Sequence, residues 1–316
     1  MKQFLTLIQK EVWENKGLLL WLPLSVGGLI LLLSLLGILQ GSATFTVTLP
    51  MEDKEIQVQH NLQSLIQLAS MTEPQHKAIG LYSALAVMTL PFSLVYIFSV
   101  VIYCLGSLYE ERKDRSILFW KSLPVSDLNT VLSKLVFVFF LIPLAFIMVI
   151  WLTQMIWLFL ATLVAWFSGV SAGGIVWQGA VLFAVWGQLV MDFFVNVWWA
   201  APVIAWIMLV SAYCKRNPFL FASVPLLLLG LAESWLFHTG GFLRWVGERL
   251  LGLTGQFSQL SNKEQFAQYV KSIMQEPSVF IAHHLSLAET LIGLLLAGIM
   301  VVGMVFLRRF RDESMI

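Results

Sequence analysis

The chain has 316 residues, 59% of them apolar and only 12% charged, with a formal net charge of +1 and a mean hydropathy of +0.82. Soluble chains run about 45–50% apolar and about 25% charged, so this composition is that of a membrane protein. With 21 glycines and two cysteines it excludes a collagen-like fibre and a disulfide scaffold, the low charge excludes intrinsic disorder, and the near-zero net charge gives no global pull toward nucleic acid.

Residues 1–16 place Phe4, Leu7, Ile8 and Val12 at helical spacing, with Leu5 and Trp13 beside them and Lys, Gln and Glu elsewhere. This predicts an amphipathic helix lying in the inner interface, either a plain anchor or an elbow that helps hold a cytosolic partner. The apolar run that follows exceeds the about 7–15 residues of a signal-peptide core. It reads as a retained span.

A helix needs about 20 apolar residues to cross the hydrocarbon, and runs near 17–39, 81–107, 135–163, 177–213, 218–237 and 285–307 qualify. The outer loop 40–80 contains two period-two stretches, Thr44 to Leu49 and Glu55 to Gln59, which predict a small β-hairpin, followed by a short amphipathic helix from Asn61 to Ser70. The outer loop 238–284 offers helical patches at Gly241 to Leu251 and Lys263 to Met274. Cys104 and Cys214, each beside a charged loop, read as small apolar packing residues.

The 177–213 run would make about 55 Å of helix against a hydrocarbon core of about 30 Å. It is either two spans or one span with a surplus piece. Because Lys and Arg concentrate on the cytoplasmic side of short loops, one span at 190–213 with both termini inside is preferred: 13 of the 19 basic residues then fall inside. Splitting the run in two would put Lys215-Arg216 and Arg308-Arg309 outside. The surplus from Gly173 to Leu189 becomes an outer re-entrant or interfacial helix, and Trp166, Trp177, Trp186, Trp198 and Trp199 fit that outer boundary. The expected fold is an all-α polytopic membrane protein with six transmembrane helices, forming a single transmembrane domain over 1–316.

The inner loop 109–128 is the most informative stretch. Glu110, Glu111, Arg112, Lys113 and Arg115 make a mixed-charge helix end, Ile117, Leu118, Phe119 and Trp120 form a purely apolar block, Pro124 breaks the chain, and Ser126 or Asp127 can cap the next helix. Four large apolar residues in an exposed loop need cover, from lipid headgroups or from a partner protein.

This loop, with Ser122-Leu-Pro-Val-Ser126 before the third span, resembles the signature inner loop of bacterial type 2 ABC exporter permeases. Residues Ile8-Gln-Lys-Glu-Val-Trp-Glu-Asn-Lys16 are similar to that family's elbow helix, and Lys215-Arg216-Asn217-Pro218 matches its cytoplasmic return. The motifs cover about 35 residues and indicate a family, not a cargo; the larger outer loops and the extra apolar stretch before the fourth span depart from the minimal pattern. The resemblance implies that Ile117 to Trp120 form a coupling helix seated in a separate cytosolic ABC ATPase, with the five charged residues and Pro124 around it and with Phe4, Ile8, Val12 and Trp13 on the elbow. It also implies ATP and Mg on that partner, no cofactor in this chain, a second permease copy or homologue, a lipid environment in the bacterial cytoplasmic membrane, and export of a possibly amphipathic substrate. The chain carries no Gly-x-x-x-x-Gly-Lys-Ser/Thr phosphate loop.

Within the spans, Gln188, Asp192 and Asn196 are spaced by four and share one helix face, as part of a pathway or subunit seam or as a structural pair. Glu233 and Glu289 lie near outer span ends. His238, His283, His284 and Glu289 invite a metal-protease reading, but adjacent histidines on a helix diverge by about 100° and no His-Glu-x-x-His occurs. An ATP-independent channel or secondary transporter is the other alternative.

Overall fold

In a computed structural model, the chain is described at residues 2–40, 74–116, 126–167, 169, 171, 173–250 and 287–310. Among these residues there is helix and no strand. The expected hairpin at 44–59, the helix at 61–70, the block Ile117 to Trp120, Pro124, the patch at 263–274 and His283-His284 lie outside the described residues.

Helix α1 (Lys2–Glu14) runs through Asn15 into a π-helical turn at Gly17–Trp21 and then α2 (Leu22–Gln40). α3 (Pro74–Gly106) is followed by the short α4 (Tyr109–Lys113). α5 (Asp127–Val136) passes through a second π turn, Phe137–Leu141, into α6 (Ile142–Phe167). Each π turn ends two residues before a proline, Pro23 or Pro143, which has no N–H for the ladder; Leu22 N–H instead reaches Gly17 and Ile142 N–H reaches Phe137. Ser126 caps α5 as expected, accepting from Asn129 N–H at 3.2 Å.

The 177–213 run differs from expectation. It forms α7 (Gly179–Trp199) and α8 (Ala201–Tyr213), broken at Ala200 rather than near residue 190. Pro202 sits in the first turn of α8, where its missing N–H is tolerated and where it prevents α7 from continuing. α7 is the piece long and apolar enough to span, while α8 is 13 residues and buried on nearly every side. α9 (Pro218–Phe237), α10 (Gly241–Leu250) and α11 (Leu287–Phe310) complete the described chain.

Six helices meet the length and hydropathy of a membrane span: Gly17–Leu39, Lys77–Lys113, Asp127–Phe167, Gly179–Trp199, Pro218–Phe237 and Glu289–Phe310. The second and third run 37 and 41 residues, about 55–60 Å of helix. They therefore project well past a hydrocarbon core of about 30 Å.

The core lies where α3, α6 and α7 meet. Tyr96 packs edge-on to Phe146 at 5.3 Å between ring centres and against Phe193 at 4.8 Å. Toward one end, buried Gln154 donates to the Leu85 carbonyl at 3.2 Å and accepts from the Trp186 indole at 2.9 Å, so an amide inside the bundle staples three helices. Cys104 and Cys214 are buried, free thiols. α2, α9 and α11 present large apolar side chains outward, including Leu33, Leu228, Leu231, Leu295 and Val302, a surface that water would not tolerate and lipid would.

Candidate functional site

Four segments far apart in sequence converge at the end of the bundle where α3, α5 and α11 project. Glu111, on α4, is the hub. Its Oε1 receives Lys134 Nζ at 3.1 Å and Lys10 Nζ at 3.3 Å, and its Oε2 receives Arg308 Nη1 at 2.8 Å. Lys134 also donates to Glu11 at 2.8 Å, Glu11 accepts from the Tyr103 hydroxyl at 2.7 Å, and Arg308 Nε donates to Asp127 at 3.0 Å. Three carboxylates, Glu11, Glu111 and Asp127, thus face three cations, Lys10, Lys134 and Arg308. Glu11, Glu111, Lys134 and Arg308 are all buried. Desolvating one of these alone would cost several kcal/mol, on the order of a lost fold, so the charges hold only as a set. At the margin, burial pushes the Glu14 carboxyl up from its ordinary value while Lys10, 3.5 Å away, opposes the shift.

The adjacent turn is equally tied. Arg112 donates through Nη2 to the carbonyls of Ser211 and, at 2.9 Å, Cys214. The Ser211 hydroxyl accepts from Leu108 N–H at 3.3 Å and Tyr109 N–H at 3.0 Å while donating to Leu105 at 2.8 Å. The loop that leaves at Ser116 is anchored at its root by α8, α5 and α11 together.

The placement sorts the expected docking residues. Glu111 and Arg112 are buried and bonded inside the bundle, whereas Glu110, Lys113 and Arg115 are exposed. Arg115 has φ +56°, the left-handed region that ends α4 and redirects the chain. On α1, Phe4, Ile8 and Val12 are half-buried toward the bundle beside fully buried Leu7, while Trp13 is exposed with Lys16 over its ring at 4.7 Å. Glu11, which the amphipathic pattern assigns to the polar face, sits in the middle of the buried one.

Toward the other end, a cleft between α3 and α7 is lined by Tyr82, Thr89, Ser93, Gln188 and Asp192. Gln188 donates to Asp192 at 2.8 Å, and both are buried. Asn196 lies further along α7, its side chain outside the described set.

Glu233 caps the return of the chain: it accepts from Thr239 Oγ1 at 2.8 Å and Phe242 N–H at 2.7 Å, placing a carboxylate at the N-terminus of α10. α10 then folds back along α9, so closely that a Cβ on Gly230 would collide with the Leu243 side chain. This carries Arg249, which the charge count assigns to an outer loop, into the bundle. Its guanidinium lies between the Trp199 and Trp245 rings, at 4.2 and 4.4 Å, and donates to the Trp199 and Glu289 carbonyls at 2.9 Å each. Burial draws its pKa down and Glu289 opposes this, but a guanidinium that starts above about 12 stays protonated. The missed residues Glu11, Lys134, Arg308, Tyr96 and Arg249 have partners on other elements; the only sequence signal was their charge or polarity beside long apolar runs.

Among the described residues, no group of three or more His, Cys, Asp or Glu is placed to hold a metal. The fold defines the class: among the described residues the regular structure is helical, and six apolar helices indicate a multi-pass membrane protein. Comparison with protein-family models, with curated proteins and with solved structures gives no match.

Proposed function

We propose that the chain is the membrane-spanning permease subunit of an ATP-driven exporter of the type 2 ABC class, energised by a separate cytosolic ATPase docked on the 109–128 loop. The observation that carries this reading is the Glu111 hub. It ties α1, the root of the loop, α5 and the end of α11 into one body, so a force applied to the loop moves α3 and α6 rather than only the loop. The apolar block Ile117 to Trp120 supplies contact area, and exposed Glu110, Lys113 and Arg115 supply register. In this reading both termini lie on the ATPase side of a bacterial cytoplasmic membrane, a second permease copy or homologue completes the pathway, and ATP and Mg belong to the partner.

The test is retention of a cosynthesised ABC ATPase through purification, and its loss on Trp120→Asp or Phe119→Asp. A second reading, a secondary transporter or channel, draws on Asp192 buried beside Gln188 between α3 and α7. It predicts solute or ion movement by the purified chain in vesicles with no ATPase present.

A further inference from the structure

Where α3, α7, α8 and α10 meet, a cavity is lined by Tyr96, Val100, Val197, Ile204, Leu250 and Arg249. Two polar atoms in its walls, Tyr96 Oη and Arg249 Nε, are buried without a hydrogen-bond partner among the described residues. Tyr96 is 3% exposed and Arg249 2%. Leaving either atom unmatched is costly, more so for the charged group. The other guanidinium nitrogens are bonded to neutral carbonyls, and the exposed Glu289 carboxylate offsets part of the charge. A positive charge that Glu289 offsets only in part therefore stands at the cavity, held between two indole rings beside a space whose other walls, Tyr96 apart, are apolar.

We propose that this cavity binds an anionic oxygen, of a phosphate or carboxylate, carried by an amphiphile that enters from the bilayer. The cavity, about 30 Å³, takes one oxygen, with Tyr96 Oη and Arg249 Nε donating, while the buried apolar walls Val100, Val197 and Ile204 suit the apolar part that adjoins it. A single water is the competing occupant, since a cavity of that size admits one. Water would satisfy the two donors but leave the charge with only the partial compensation of Glu289. The inference goes beyond the exporter reading, and it is tested on the chain without any ATPase, so each can fail separately.

The experiment is equilibrium binding to the full chain, purified in a neutral detergent, of phosphatidic acid labelled with a fluorophore on its acyl tail. Diacylglycerol with the same label is the uncharged control, and inorganic phosphate is the competitor. Saturable binding of phosphatidic acid at least about tenfold tighter than diacylglycerol is expected. Arg249→Gln should abolish that preference. Tyr96→Phe, which removes one hydroxyl from an otherwise apolar contact, should weaken binding severalfold with the melting temperature kept, and so separates recognition from folding. Equal affinity for the two probes, or an unchanged preference in both variants, would overturn the proposal and leave water as the occupant. Complete displacement by millimolar inorganic phosphate would overturn the amphiphile as ligand.

Discussion

Arg308 Nη1 donates to Glu111 Oε2 at 2.8 Å, joining residues 197 positions apart in sequence. The pair matters because it closes a ring: Glu111 leads through Lys134 to Glu11 on the first helix, and Arg308 leads through Asp127 to the start of α5. The first described helix, the last described helix and the root of the 109–128 loop are thereby a single mechanical unit.

Within that unit Lys134 is the least replaceable. Removing it leaves Glu11 with the Tyr103 hydroxyl and Glu111 with Lys10 and Arg308. Lys134→Met should destabilise the chain by about 3–5 kcal/mol, the cost of stranding a buried charge, and Glu11→Gln in the same background should recover part of it. Thermal unfolding of the two variants in detergent measures both.

Ser211 serves the other half of the loop root. Ser211→Ala removes the acceptor of the Leu108 and Tyr109 amides, which lie in a buried turn. The expected cost is about 1–3 kcal/mol. Hydrogen exchange should accelerate at those two amides more than at amides in the middle of α6.

The close approach of α10 to α9 gives a steric prediction. Gly230→Ala puts a methyl carbon into Leu243, which should cost about 1–3 kcal/mol by overpacking, and Leu243→Ala should relieve it. Gly293→Ala acts on the same region from the other side: its Cβ would meet the Arg249 guanidinium, so it should displace Arg249 and weaken phosphatidic acid binding as Arg249→Gln does.

Hydropathy made much of the fold legible. Runs of about 20 apolar residues have few alternatives to a spanning helix, and the 17–39, 218–237 and 285–307 expectations fall on observed helices. The break at Ala200 was not legible, because the run is apolar on both sides of it and Pro202 is as compatible with a kink as with a new helix. The burial of Glu11 and of Arg249 is illegible in the sequence for a common reason. A local pattern assigns a charge to the polar side, and only distant residues, Lys134 and Tyr103 for one, Trp199 and Trp245 for the other, make its burial tolerable. Glu111 and Arg112 were grouped with Glu110 and Lys113 by sequence adjacency, although a helical turn divides them between the bundle and the outside.

That division sharpens the docking prediction. Charge reversal at exposed Lys113 or Arg115 should weaken ATPase retention with the melting temperature unchanged, since neither side chain is buried. Reversal at Arg112 should instead lower the melting temperature, because its guanidinium holds two carbonyls of the α8 terminus.

The most direct measurement is the stoichiometry of a cosynthesised ABC ATPase that stays with the purified chain, compared between the natural sequence and Trp120→Asp, with melting temperature as the control for folding. The account predicts near-equimolar ATPase on the natural chain and loss of it on Trp120→Asp at an unchanged melting temperature. ATPase retained equally by both, or solute transport by the purified chain with no ATPase present, would contradict it.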